Sequence, residues 1–209
     1  MYTRKYEIFN EILNAVTHGL GFLAALSGLV LLIIKAVPLG GLHLFSYTVF
    51  GSCLILLFLA STLFHSFIFT GAKKVFQIID HCSIYLLIAG SYTPYCLLSI
   101  KGTKGWILFG IIWFFAISGI VYKSLFLNKK WKFDFIIYLF MGWLCVVASV
   151  ELYRGLGLKG VLLLVIGGLC YSLGTIFYAL QAKKYMHVVW HLFVLAGASF
   201  TFFSIYFYT

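Results

Sequence analysis

The sequence predicts an all-α membrane protein, a bundle of seven transmembrane helices with its N-terminus cytoplasmic and its C-terminus outside. Three observations carry this. The 209 residues are 63% hydrophobic and only 10% charged, where an ordinary soluble domain has roughly 25% charged residues. Apolar runs of membrane-crossing length recur along the whole chain, and Lys and Arg are spread unevenly over the connections between them. A crossing needs about 20 apolar residues, so seven use roughly 140 and leave no room for a separate soluble domain. Residues 1–209 are therefore read as a single integral-membrane domain. A mean hydropathy of +1.07 with 22 Phe, 14 Tyr and 5 Trp excludes a disordered chain and a nucleic-acid binder, although 15 basic residues stand against 5 acidic ones. In this setting a basic balance anchors the protein at a bilayer face.

In chain order the predicted spans are 15–37, 44–69, 75–99, 105–123, 133–151, 160–180 and 187–208. The polar stretch Met1 to Glu11 before the first lacks the apolar core and small-residue cleavage site of a signal peptide, so the first span is expected to remain in the mature protein. The second follows the turn at 38–41, the third the Gly-Ala-Lys-Lys turn at 71–74, and the fourth the Lys-Gly-Thr-Lys turn at 101–104. Basic connections at 128–132, 154–159 and 183–184 introduce the last three. All are read as helices, because backbone in hydrocarbon must satisfy its own hydrogen bonds and these long runs lack the alternation of barrel strands. Connections this short place consecutive helices side by side.

Orientation follows from the basic residues. Arg4, Lys5, Lys73, Lys74, Lys123, Lys129, Lys130, Lys132, Lys183 and Lys184 fall on one side, and Lys35, Lys101, Lys104, Arg154 and Lys159 on the other. Ten against five puts the N-terminus inside. The aromatic cluster at 202–208 suits the outer interface. Cys53, Cys82, Cys96, Cys145 and Cys170 all lie within apolar runs without CxxC spacing and read as buried small apolar residues.

Ionisable side chains inside a span cost about 2.5–3.5 kcal/mol at the centre, so each is a functional candidate. Here they are few and grouped. His65 ends the second span, Asp80 and His81 open the third, His187 and His191 open the seventh, and His18 lies early in the first. At about 1.5 Å per residue, His65 and Asp80 both sit roughly 9 Å inside the cytoplasmic boundary, and His187 and His191 about 5 and 10 Å inside it. Four groups from three helices thus converge on one layer. Residues four apart share a helix face, so His187 and His191 can both offer imidazole to one ion, and Ser61 shares a face with His65. Three imidazoles from two helices would form a His₃ site of the catalytic zinc kind, with a fourth position left for water. Asp80 could then bond that water or act as general base. All-nitrogen ligands suit zinc better than calcium or magnesium.

The plainer readings differ by residue. An isolated HxxxH pair can serve interhelical hydrogen bonding instead of a metal. His81 points about 100° away from Asp80 around the helix and is read as a packing or proton-relay group. His18, at a compatible depth, is read as orienting a ligand rather than coordinating. Glu7 and Glu11 are placed beside the membrane, Asp134 and Glu151 at its interfaces, and His43 in solvent.

Glu11-x-x-Asn14-x-x-x-His18, Ser61-x-x-x-His65, Asp80-His81 with Gly90-Ser91-Tyr92-Thr93-Pro94, and His187-x-x-x-His191 resemble, in order and residue type, the motifs of the hemolysin III proteins, the bacterial branch of the progestin and adipoQ receptor family. The resemblance spans nearly the whole chain. It implies a seven-helix bundle with a zinc ion near the cytoplasmic side. His65, His187 and His191 correspond to the family's zinc ligands, Asp80 to an acid that contacts zinc through water, and Ser61 to its immediate neighbour. Glu11, Asn14, His18 and His81 are then candidates for the groups around the ligands.

Family members include adiponectin receptors, with a ceramidase-like hydrolysis of lipid amides attributed to them, and bacterial proteins linked to haemolysis or membrane fluidity. The long amino-terminal cytoplasmic region of the animal receptors is not expected here, which makes hormone binding an unfavoured reading. Two expectations of different class follow. One is a zinc-dependent intramembrane hydrolase of lipid amides or esters, with membrane lipid as substrate, Asp80 and Ser61 as catalytic residues, and the acyl chain between helices. The other is a non-catalytic cytolysin or regulator of membrane fluidity, in which zinc ties helices together. A proton-coupled transporter fits less well, since polar groups are sparse in the outer halves of the spans.

Overall fold

The computed structural model describes residues 3–126 and 134–209, and every regular element among them is helical. These are α1 (Arg4–Ala36), α2 (Gly41–Ser66), α3 (Lys73–Pro94), α4 (Gly102–Phe126), α5 (Asp134–Trp143), α6 (Ser149–Ala179) and α7 (Met186–Tyr208). The connection expected at 128–132, with Lys129, Lys130 and Lys132, lies outside the described residues. Six stretches are long and apolar enough to cross a membrane.

The first helix begins at Arg4, well before the expected start of the first span at residue 15, because Thr3 caps it: its hydroxyl accepts the Tyr6 N–H. With 33 residues α1 is about 50 Å long, more than the roughly 30 Å hydrocarbon core requires. Its extra turns put Glu11 and Asn14 on the same helix as His18, at spacings of three and four that share a face. Pro38 and then Gly40, at φ 101°, end this helix and turn the chain into α2.

The helices pack where small residues let neighbours approach. Gly21 of α1 lies against Phe58 of α2, Gly90 of α3 against Cys53 of α2, and Gly174 of α6 against Trp190 of α7. Contacts of Gly21 with Leu195 and Gly28 with Phe202 close α7 onto α1. On the far side of α3, the Trp113 indole of α4 donates to Thr93. All five cysteines are free, and Cys53, Cys82 and Cys96 are buried.

The stretch 135–179 is a single 45-residue apolar unit where the sequence predicts two spans. As one straight helix it would be about 68 Å long, over twice the hydrocarbon thickness. It is not straight. Residues Leu144–Ala148 are 3₁₀, and Gly157 takes φ 65°, ψ 177°, a conformation open mainly to glycine. The segment before Gly157 runs parallel to α3: Tyr138 bonds the His81 carbonyl, Tyr92 reaches residues 141–145, and Gly155 packs on Ser99. After Gly157 the chain runs antiparallel to α7, from Gly160 beside Tyr208 to Gly174 beside Trp190.

Candidate metal centre

Three helices meet at one buried level. His65 stands in the last turn of α2, and His187 and His191 in the first two turns of α7. A left-handed residue, Tyr185 at φ 59°, directly precedes α7 and turns the chain sharply into it. One ring nitrogen from each histidine lies within 4.8 Å of the others, so the three could hold a metal ion. Ring centroids are 4.7–5.1 Å apart. His65 and His191 are 4% and 1% exposed.

Groups on α1 set the ring orientations. Glu11 Oε2 is 2.6 Å from His65 Nδ1, so a protonated Nδ1 donates to the carboxylate. That leaves Nε2, which is buried and has no hydrogen-bond partner, as the ligand atom. His191 Nδ1 lies 3.2 Å from the Asn14 carbonyl and 3.3 Å from Thr17 Oγ1. The Thr17 hydroxyl donates to the Leu13 and Asn14 carbonyls at 2.9 Å, so it is free to accept from His191 and favours the same tautomer. Imidazoles whose outer N–H is held by a carboxylate or carbonyl, with the inner nitrogen bare, are the usual metal-binding arrangement. Nitrogens about 2.0–2.1 Å from one tetrahedral zinc stand about 3.4 Å apart, so donors within 4.8 Å of each other need to close by about 1.4 Å at most, which small side-chain rotations supply. The residues fit the group.

The remaining sequence candidates divide. His18 stacks on His191 with centroids 3.6 Å apart and planes at 11°, and meets Phe58 edge-on. It is not one of the three clustered donors. Ser61, one turn before His65 and 2% exposed, lies beside the Asp80 side chain, which also faces His65. His81 is outside the cluster, and its carbonyl accepts from Tyr138 on α5. Glu11, placed beside the membrane by its position and among the groups around the ligands by the resemblance, is mostly buried against His65, because α1 is already helical there; Glu7 is exposed. Thr17 was not singled out in the sequence. Its only signal there is its helix position, three residues after Asn14.

Beyond this layer an apolar cavity of about 210 Å³ extends between α3, α5, α6 and α7. Leu57, Ile84 and Trp190 line it, each one turn on from Ser61, Asp80 and His187 respectively.

An all-helical bundle with a lipid-facing apolar exterior and a buried histidine cluster defines the class: a multi-pass membrane protein with a candidate metal centre. Residues 6–202 match the family model described as haemolysin-III related. The chain belongs to the haemolysin III family, as its motifs imply. It is 44% identical to the hemolysin-3 homolog of Bacillus subtilis over 204 residues, covering 97% of this chain and 96% of that protein. Identity to hemolysin-3 of Bacillus cereus is also 44%, over 95% of this chain and 91% of the relative. The human monocyte to macrophage differentiation factor is 30% identical over 168 residues, 77% of this chain and 68% of its own length.

Proposed function

We propose that this protein is a zinc-dependent hydrolase acting within the membrane on the amide or ester bond of a lipid. One observation carries the reading: three imidazoles converge beside the neighbouring Ser61 and Asp80, at the inner end of an apolar cavity. His65, His187 and His191 would hold the zinc ion. When bound, zinc supplies Lewis acidity toward a carbonyl and lowers the pKa of water toward about 7. Glu11 keeps His65, and Asn14 with Thr17 keeps His191, in the tautomer that presents Nε2 inward. Asp80 accepts the proton of the attacking water and returns it to the departing nitrogen or oxygen. Ser61 orients the Asp80 carboxyl group, and the acyl chain occupies the cavity beyond.

The same reading takes the chain across the bilayer seven times with the N-terminus inside. The parallel course of α3 and α5 supports it, as do the turn at Gly157 and the ten-to-five basic asymmetry. The metal layer then lies near the cytoplasmic face, where water is close.

The test is product analysis by mass spectrometry after incubating pure protein with a lipid mixture. Wild type yields free fatty acid, whereas Asp80→Asn retains its metal and yields none; equal product from both removes Asp80 as the base. A second reading, a cytolysin or fluidity regulator with a structural metal, is favoured by the name hemolysin-3 of two relatives and by the way the histidine network ties α1, α2 and α7. On that reading, metal removal lowers thermal stability in detergent and no lipid product forms.

A further inference from the structure

The segment Gly90-Ser91-Tyr92-Thr93-Pro94 takes no part in the metal centre, yet its tyrosine acts on another helix. Tyr92 is 6% exposed. Its hydroxyl oxygen accepts the Cys145 N–H at 2.7 Å and shares its proton between the carbonyls of Met141 and Gly142, each at 2.8 Å. Cys145 N–H and Met141 C=O are four residues apart, the pair that a continuous α-helix joins directly. The hydroxyl stands where that bond would be, and a side chain inserted into the ladder is a known cause of sharp helix breaks. Accordingly α5 stops at Trp143, and Leu144–Ala148 wind as 3₁₀.

The change of winding has a size. A 3₁₀ segment rises about 2.0 Å and turns about 120° per residue, against about 1.5 Å and 100° in an α-helix. Over five residues that lengthens the segment by about 2.5 Å and offsets the side chains beyond it by about 100°. Side chains within and beyond the segment are a wall of the apolar cavity: Cys145, Val146, Ser149 and Leu152 line it together with Tyr92. Trp143 also reaches across to α6, its indole N–H donating to Ser172 at 3.0 Å.

We propose that Tyr92, by inserting its hydroxyl into the α5 hydrogen-bond ladder, sets the shape of the apolar cavity and so selects the lipid acyl chains the protein holds. The inference rests on the reading of this cavity as the acyl site. Without the hydroxyl, Met141 C=O and Cys145 N–H pair directly, residues 144–148 rewind, and the wall rotates. Each chain methylene that the cavity no longer encloses weakens binding roughly fourfold.

The experiment compares full-length wild type, Tyr92→Phe and the double variant Tyr92→Phe with Cys145→Pro. Native mass spectrometry follows the binding of saturated fatty acids of graded chain length. Proline at 145 has no N–H and clashes with the carbonyl at 141, so it keeps the helix broken without the hydroxyl. Tyr92→Phe is expected to shift the chain-length profile, with the longest bound chain weakened at least roughly fourfold. The double variant is expected to return to the wild-type profile. An unchanged profile in Tyr92→Phe overturns the inference. So does a double variant that holds its metal yet keeps the shifted profile. Should Tyr92→Phe alone lose its fold, the double variant read against wild type decides in the same way. A wild-type protein that binds no fatty acid of any length overturns the acyl-site reading itself, an outcome distinct from failure of the Tyr92 contact.

Discussion

Two of the places where polar groups enter the apolar interior of this bundle treat them differently. At Tyr92 the hydroxyl uses both its proton and a lone pair, on three backbone groups. At the histidine level, both amide atoms of Asn14, both ring nitrogens of His18 and Nε2 of His65 are buried without a hydrogen-bond partner. A buried unpaired polar group costs about 1–3 kcal/mol, and native interiors leave few of them. On the proposed metal reading, the contrast separates a polar group kept for the fold from a set kept for a ligand.

That contrast can be broken most forcefully by removing a ligand. His65→Ala or His187→Ala should reduce bound zinc, measured by elemental analysis, from about one per chain to background; full retention in both would end the metal assignment. Next comes the support on α1. Glu11→Gln keeps an acceptor near His65 Nδ1 but removes the charge, and metal affinity measured by chelator competition should fall about 10–100-fold. An unchanged affinity would reduce Glu11 to a packing group. The smallest effect is expected at Asn14→Leu in metal-free protein. The amide has no partner to lose, so unfolding in detergent should show a change between neutral and a gain of about 1–3 kcal/mol. A clear loss would show that the amide is paired after all and would erase the difference from Tyr92.

The histidine layer was legible in the sequence because depth in a membrane can be counted: His65, His187 and His191 each stand a fixed number of residues from a basic turn. The role of Glu11 was less visible. Its apolar neighbours Ile8, Phe9 and Ile12 are exposed, so residues 4–14 carry only the polar half of a helix signal and no hydropathy boundary. The break in α5 was not legible at all. Its cause is a hydroxyl some fifty residues earlier in the chain, and nothing in residues 141–148 is a helix breaker except Gly142. Two spans were expected at 133–151 and 160–180 where one 45-residue apolar stretch stands, and the non-helical residue inside it is Gly157, whose φ no hydropathy scale reports.

Metal ligands come from the second and last helices, and the groups that hold them in place come from the first. During synthesis the chain leaves the ribosome amino end first, so a nascent protein with fewer than 187 residues made carries one of the three imidazoles. Glu11 meets His65 once the second helix is made, whereas Asn14 waits in the bilayer for His191, which is not yet translated. On the proposed metal reading, an ion held by all three imidazoles is captured only after the last helix has been made.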